Sequence, residues 1–117
     1  MLKVLMIGEQ GSHIETLYFA LIHRELTVHL VHDRETLRAM LDTEAPDLVI
    51  FDHVEPTDLF VLNPRALGFS GPVLLLTDEP NPTTAQEVLR TEIALHKPVM
   101  LTALWQMIDE IASLMPE

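Results

Sequence analysis

The sequence contains no cysteine, only four glycines and only seven lysines and arginines. Without cysteine the chain cannot form a disulfide framework, a thiolate metal site or a cysteine nucleophile. Its 18 acidic residues give a formal net charge of −11, and a nucleic-acid surface is not expected because phosphate contacts need clustered basic side chains. No apolar run approaches the roughly 18 residues of a membrane span, and the first residues lack a signal-peptide pattern, so we expect a cytoplasmic protein.

Hydrophobic residues make up 48% of the 117-residue chain, which is enough for one well-packed core. No tandem repeat, low-complexity tract or linker interrupts the sequence. We therefore expect residues 1–117 to form a single domain.

Short β-rich runs alternate with helix-like segments along the chain. The predicted strands are residues 4–7, 27–31, 47–52, 73–77 and 92–96. The predicted helices begin at residue 12 and after residue 33, and then cover residues 58–62, 84–90 and 101–115. Five successive β-α units predict an α/β fold with a five-stranded parallel sheet and helices on both faces.

Apolar residues at spacings of three and four predict the buried faces of the first and last helices. For the first helix these residues are Ile14, Leu17, Tyr18, Leu21 and Ile22. For the last helix they are Leu101, Leu104, Ile108, Ile111 and Met115. Ser12 and Glu15 have the spacing of a capping box, and Asp33 is the expected N-cap of the second helix.

An acid and a lysine stand at the ends of two predicted strands. Asp52 follows the apolar run 48–51, and Lys97 follows the run 93–96 and precedes Pro98. The chain has only two lysines, and this one interrupts an otherwise apolar stretch. Because the carboxyl ends of parallel strands meet at one edge of the sheet, we expect Asp52 and Lys97 to lie close together there.

These strand ends resemble the receiver domain of bacterial two-component response regulators. Residues 46–52, with Pro56 four residues after the acid, resemble the family's phosphoacceptor motif. Residues 74–77 resemble its strand that ends in threonine or serine, and residues 96–98 resemble its Lys-Pro motif. The resemblance covers nearly the whole chain and implies a flavodoxin-like three-layer α/β sandwich.

The resemblance also implies a function in phosphorelay signalling. Asp52 would accept a phosphoryl group from a histidine kinase or a phosphotransfer protein. Mg²⁺ would be bound by Glu9, Asp52 and the backbone carbonyl of Val54, while Lys97 and Thr77 would contact phosphoryl oxygens. Beyond its own phosphorylation and dephosphorylation, such a domain is not expected to be an enzyme.

Three positions depart from the family's pattern. Receivers usually carry two adjacent acids after the first strand, but here the first is Gly8 and only Glu9 remains, which predicts weak Mg²⁺ binding. The residue after Thr77 is usually small, but here it is Asp78, whose carboxylate would repel a phosphoryl group unless it replaces the missing acid. The usual aromatic switch residue is Ala94. An alternative interpretation is therefore a pseudo-receiver, whose pocket is structural and which acts by protein binding alone.

A flavin- or nucleotide-binding α/β protein is a third interpretation, which the sequence disfavours. The chain has only four glycines, and no hydroxyl-rich phosphate loop follows the first predicted strand. The six histidines show no metal-ligand spacing, and His53, directly after Asp52, is interpreted as an ordinary residue between a strand and a loop.

The last helix carries more apolar surface than one buried stripe requires. Met100, Met107 and Leu114 recur every seven residues beside the stripe, and Trp105 lies on its other side. This set predicts either a wide buried face or a contact surface for a second copy of the chain or an output partner.

Overall fold

The computed structural model describes residues 2–8, 13–24, 26–53, 57–91 and 93–114. Within this part the strands are β1 (Leu2–Ile7), β2 (Leu26–Val31), β3 (Leu48–Asp52), β4 (Val73–Thr77) and β5 (Ala94–His96). The helices are α1 (His13–Leu21), α2 (Arg34–Thr43), α3 (Asp58–Val61), α4 (Thr83–Leu89) and α5 (Leu101–Ser113), with a 3₁₀ turn at Arg65–Leu67. None of the helices in these ranges is long and apolar enough to cross a membrane.

The five strands form one parallel sheet in the order β2-β1-β3-β4-β5. The chain begins in β1, adds β2 on one side and then returns to add β3 on the other, so the direction of winding reverses between β1 and β3. In open sheets of this kind, ligands bind beyond the carboxyl ends of the strands, near that reversal. The predicted five-stranded parallel sheet with a flavodoxin-like topology is confirmed.

Alternate residues of the strands contribute to two separate cores, one on each face of the sheet. On one face, Val4 and Met6 of β1 pack with residues of α1 and α5. On the other face, Leu5 and Ile7 pack with residues of α2, α3 and α4. Strands β3 and β4 are buried along their whole length, as expected for strands that helices cover on both sides.

Two residues predicted to lie in the core are exposed instead. Ile22 is 41% exposed and comes directly after the last residue of α1, one turn beyond Tyr18, which is itself only partly buried. Leu101 is 37% exposed, because it is the first residue of α5 and lies ahead of the buried stripe of that helix. Both predictions are therefore wrong. Three further residues of predicted elements lie outside the described residues: Ser12, Glu92 and Met115.

Asp33 caps the N-terminus of α2, as predicted. Its carboxylate accepts hydrogen bonds from the Thr36 backbone N–H at 2.8 Å and from the Thr36 hydroxyl at 3.0 Å. These bonds, the backbone one first, hold the pKa of the Asp33 carboxyl below its ordinary value, because they stabilise the ionised form. The cap is therefore stronger when this carboxyl is deprotonated.

We expect Asp33→Ala to destabilise the protein at neutral pH and to have less effect in acid. The folded pKa is lower than the unfolded one, so the stabilisation is complete above the unfolded pKa and is lost as the pH falls through the folded value. Urea unfolding of both proteins at neutral and acid pH measures this difference. Asp42→Ala, at an exposed acid of the same helix, is the control. If the loss of unfolding free energy caused by Asp33→Ala is as large at acid pH as at neutral pH, this account of the cap is contradicted.

Arg65 joins the end of α4 to the segment before β4 through four backbone carbonyls. Its guanidinium donates to the carbonyls of Leu89 at 2.7 Å, Phe69 at 3.1 Å, Gly71 at 2.6 Å and Arg90 at 3.3 Å. The last carbonyls of a helix lack partners within the helix, so this side chain satisfies two of them at the end of α4. Burial lowers the pKa of Arg65 from its ordinary value, but an arginine remains protonated at physiological pH.

We expect Arg65→Met to destabilise the protein by about 2 kcal/mol, because it keeps an apolar stem but removes the charged donor from all four carbonyls. Arg65→Lys should recover only part of this loss, since an ammonium group cannot reproduce the planar fork of a guanidinium. Arg38→Met, at an exposed position of α2, is the control, with an expected change within about 0.5 kcal/mol. If chemical denaturation shows the same loss of unfolding free energy for Arg65→Met and Arg38→Met, the proposed contribution of Arg65 is contradicted.

Candidate functional site

Asp52 and Lys97 form an ion pair at the carboxyl edge of the sheet. Asp52 is the last residue of β3, Lys97 follows the last residue of β5, and β4 lies between these two strands. Lys97 Nζ donates to Asp52 Oδ1 at 2.7 Å and to the His53 carbonyl at 3.1 Å. The Lys97 backbone N–H donates to the Thr77 carbonyl at 2.9 Å, which extends the pairing of β4 and β5 as far as the lysine.

The ion pair is almost completely removed from solvent. The side chain of Asp52 is 0% exposed and that of Lys97 is 8% exposed. A carboxylate in such a place is strongly destabilising unless a positive charge accompanies it, and Lys97 supplies that charge. Asp52 Oδ2, by contrast, is buried and has no hydrogen-bond partner among the described residues, which is rare for a buried acceptor. Lys97 therefore neutralises one carboxylate oxygen, while the other is buried without a partner among the described residues.

Thr77 is the last residue of β4, the strand that separates β3 from β5. It is fully buried, and its hydroxyl oxygen accepts a hydrogen bond from the Glu79 backbone N–H at 3.1 Å. A bond of this kind closes a tight turn at the start of the following loop. Asp52, Thr77 and Lys97, the three described residues predicted for the site, thus meet at one edge of the sheet.

The packing around Gly8 leaves little space for a side chain at that position in the present arrangement. A Cβ atom built on Gly8 would lie 3.0 Å from Ile14 Cγ2 and 3.2 Å from Asp52 Cβ. These distances are shorter than ordinary van der Waals contacts, so a larger residue would require Ile14 or Asp52 to shift. The departure from the family's pattern is therefore steric as well as electrostatic, because Ile14 of α1 fills the space.

The predicted metal ligands lie only partly within the described residues. Glu9 and Val54 are outside them, as is Pro56 of the phosphoacceptor motif. Across the described residues, no group of three or more histidines and acids is placed to hold a metal ion. Asp52 Oδ2, which is buried and has no partner within the described ranges, is an anionic oxygen of the kind that Mg²⁺ prefers, so this one atom fits a cation.

Asp78 lies on the solvent side of Lys97. Its Oδ2 is 3.8 Å from Lys97 Nζ, and its side chain is 78% exposed. The ammonium group of Lys97 thus contacts two carboxylates, a buried one at the end of β3 and an exposed one in the loop after β4.

Two histidines lie beside the site, although no motif in the sequence assigns them a function. His53 directly follows Asp52 and is 7% exposed, and its Nδ1 lies 3.7 Å from a carboxylate oxygen of Glu79. His32 follows the last residue of β2, and its Nδ1 lies 2.8 Å from the Gly8 carbonyl oxygen. Each histidine comes one residue after a strand, at the carboxyl edge, and this position is the signal that could have identified them.

The four apolar residues predicted as a contact surface at α5 divide into two pairs. Met100 and Leu114 are 72% and 85% exposed. Trp105 and Met107 are partly buried and pack against the core between the sheet and helices α1 and α5. The Arg24 guanidinium lies 5.0 Å from the centre of the Trp105 ring. A wide buried face therefore describes the second pair, and a contact surface stays a prediction for the first.

The molecule is an open, flavodoxin-like α/β sandwich with its charged site at the carboxyl edge of the sheet, and solved structures share this fold. A two-component response regulator from Clostridium difficile superposes with a TM-score of 0.82 at 16% identity, covering 100% of both chains. The signal receiver domain of an HD-domain-containing protein from Pseudomonas fluorescens Pf-5 has a TM-score of 0.80 at 20% identity, over 96% of this chain and 87% of that one.

The chemotaxis protein CheY4 of Vibrio cholerae is similar as well, with a TM-score of 0.76 at 19% identity over 95% of this chain and 98% of its own. No protein-family model matches the sequence, and no curated protein matches it. The relation to these proteins therefore rests on structural similarity alone. The protein has the fold of response-regulator receiver domains.

We expect Lys97→Met to destabilise the protein by about 3 kcal/mol, because it leaves the buried Asp52 carboxylate without a compensating charge. Asp52→Asn removes that charge, so the double variant should be clearly more stable than Lys97→Met alone. Denaturant unfolding of wild type, both single variants and the double variant gives the coupling energy, which we expect to be about 2 kcal/mol. Lys3→Met, at the other lysine of the sequence, is the control. If the losses of unfolding free energy in the two single variants add up to the loss in the double variant, the two side chains do not interact in solution.

Proposed function

We propose that this domain is a phosphorelay receiver that accepts a phosphoryl group on Asp52 from a histidine kinase or a phosphotransfer protein. The observation that carries the proposal is the buried ion pair, in which Lys97 neutralises one oxygen of Asp52 at 2.7 Å while the other oxygen has no partner among the described residues. The receiver fold supports it, because the pair lies where such sheets bind ligands. Residues 1–117 would act as a single cytoplasmic signalling domain, and its only chemistry would be its own phosphorylation and dephosphorylation.

In the proposed transfer, an oxygen of Asp52 forms a bond to the phosphorus of a phosphohistidine while the P–N bond breaks. The leaving imidazole nitrogen keeps the electron pair of that bond and takes up a proton, and Asp52 becomes an aspartyl phosphate. The His53 carbonyl holds Lys97 Nζ at 3.1 Å, so the ammonium could exchange Asp52 Oδ1 for a phosphoryl oxygen while this second contact remains. Lys97 would thereby neutralise charge both before and after the transfer.

Asp52 Oδ2, Glu9 and the backbone carbonyl of Val54 are the groups that we propose would hold Mg²⁺. The bound ion would neutralise charge between the attacking carboxylate and the phosphoryl oxygens. Since Gly8 supplies no acid, we expect this site to bind Mg²⁺ weakly.

Thr77 would transmit the change from the pocket to the surface. Its hydroxyl accepts the Glu79 N–H at 3.1 Å, and turning it toward a phosphoryl oxygen would break that bond and release the loop after β4. With Ala94 in place of an aromatic residue, this loop would carry the switch, and phosphorylation would shift the population between its two arrangements. An output partner or a second copy of the chain would then bind near the exposed Met100 and Leu114.

A pseudo-receiver that acts by protein binding alone is the alternative, and one observation favours it. The Asp52 side chain is 0% exposed, and Ile14 fills the space beside Gly8. A donor could therefore reach the carboxylate only if neighbouring groups move. In the alternative, the ion pair would serve the stability of the fold, and Asp52→Asn would leave partner affinity unchanged.

Intact-mass measurement after incubation with Mg²⁺ and acetyl phosphate tests the proposal. We expect one phosphoryl group to be added to the wild type, no addition when Mg²⁺ is removed, and no addition to Asp52→Asn. Asp109→Asn, at an acid of α5 that pairs with Arg24, is the matched control and should be labelled like the wild type. Labelling of Asp52→Asn would contradict the role of Asp52. A wild type that stays unlabelled at saturating metal and donor would favour the pseudo-receiver.

A further inference from the structure

Lys97 contacts two carboxylates, and only the buried one has a role in the proposed transfer. Asp78 Oδ2 lies 3.8 Å from Lys97 Nζ with its side chain 78% exposed, whereas the side chain of Asp52 is 0% exposed. The third oxygen near the ammonium is the His53 carbonyl at 3.1 Å. A phosphodonor that approaches Lys97 from solvent therefore meets the carboxylate of Asp78 first.

The charges around Asp78 do not offset its own. Of the described cationic groups, Lys97 is the one that pairs with Asp78, and Lys97 already pairs with Asp52 at 2.7 Å. Glu79, the next residue, adds a second carboxylate to the same loop, with its side chain 51% exposed. Two carboxylates thus share one ammonium, and the approach to the pocket keeps an excess of negative charge.

We propose that Asp78 determines which phosphodonors can react with Asp52, and that it disfavours small dianionic donors. This inference rests on the proposed function, because it concerns the donor for the same carboxylate. Asp78 acts in two ways: its charge repels the phosphoryl oxygens at short range, and it competes with them for the ammonium of Lys97. A donor with less negative charge is affected less by either of these effects.

Two small donors separate this effect from the chemistry itself, because both yield the same aspartyl phosphate. With acetyl phosphate, a bond forms between Asp52 and phosphorus, the P–O bond to the acetyl group breaks, and acetate leaves with the electron pair. With phosphoramidate, the P–N bond breaks and ammonia leaves with the electron pair. Near neutral pH acetyl phosphate is a dianion, whereas phosphoramidate with its nitrogen protonated carries one net negative charge. Repulsion from Asp78 therefore acts more strongly on acetyl phosphate.

The test compares initial labelling rates of wild type, Asp78→Asn and Asp78→Lys with each donor, at equal Mg²⁺ and low ionic strength, by intact mass. We expect Asp78→Asn to raise the rate with acetyl phosphate about fivefold and the rate with phosphoramidate less than about twofold. Asp78→Lys should raise the ratio of the acetyl phosphate rate to the phosphoramidate rate further than Asp78→Asn does. Added salt should reduce the difference, because it screens exposed charges.

Glu87→Gln, at an exposed position of α4, changes the net charge by the same amount away from the site and should leave the ratio unchanged. An unchanged ratio in both Asp78 variants, with wild type labelled by both donors, would overturn this role of Asp78 and leave the proposed function standing. Slower labelling by both donors with a higher Mg²⁺ requirement would also overturn it, and would assign Asp78 to metal binding. No labelling of any variant by either donor would overturn the proposed function, and this inference with it.

Discussion

A buried carboxylate has to be neutralised, and the carboxyl edge of this sheet is arranged around the one lysine that does so. Lys97 reaches Asp52 from two strands away, so the contact at 2.7 Å requires β3, β4 and β5 to end at the same level. The loops that follow β3 and β4 then contribute the His53 carbonyl and the Asp78 carboxylate to the same ammonium group. The stability of the site and its proposed chemistry therefore depend on one charge–charge interaction, with little exposure to solvent to weaken it.

The fold could be predicted because its signals are local and repeat along the chain. Strands β3 and β4 are buried over their full length, and they correspond to uninterrupted apolar runs in the sequence. The pairing of Asp52 with Lys97 was predictable for a related reason, since parallel strands place their final residues at one edge. Two residues at strand ends therefore indicate, from the sequence, which side chains pair at that edge.

The predictions that were wrong or missing concern element ends and loops. Ile22 has the spacing of a core residue, but the periodicity does not indicate how far the core extends along the end of α1. The approach of His53 to Glu79 depends on the path of a loop, which no hydrophobic period encodes. The contact of Gly8 with Ile14 likewise depends on how closely α1 packs against the sheet. Such details follow from tertiary packing, which a pattern of residue types describes only coarsely.

The contact between Gly8 and Ile14 also restricts how the site could change in evolution. With Ile14 in place, the Cβ atom of a larger residue at position 8 would come within 3.0 Å of a side-chain methyl group, so the substitution requires Ile14 or Asp52 to shift. A smaller residue at position 14 would relieve this crowding, but that substitution alone would leave a cavity in the core. The two positions are therefore sterically coupled, and the effect of a side chain at position 8 depends on the residue at position 14.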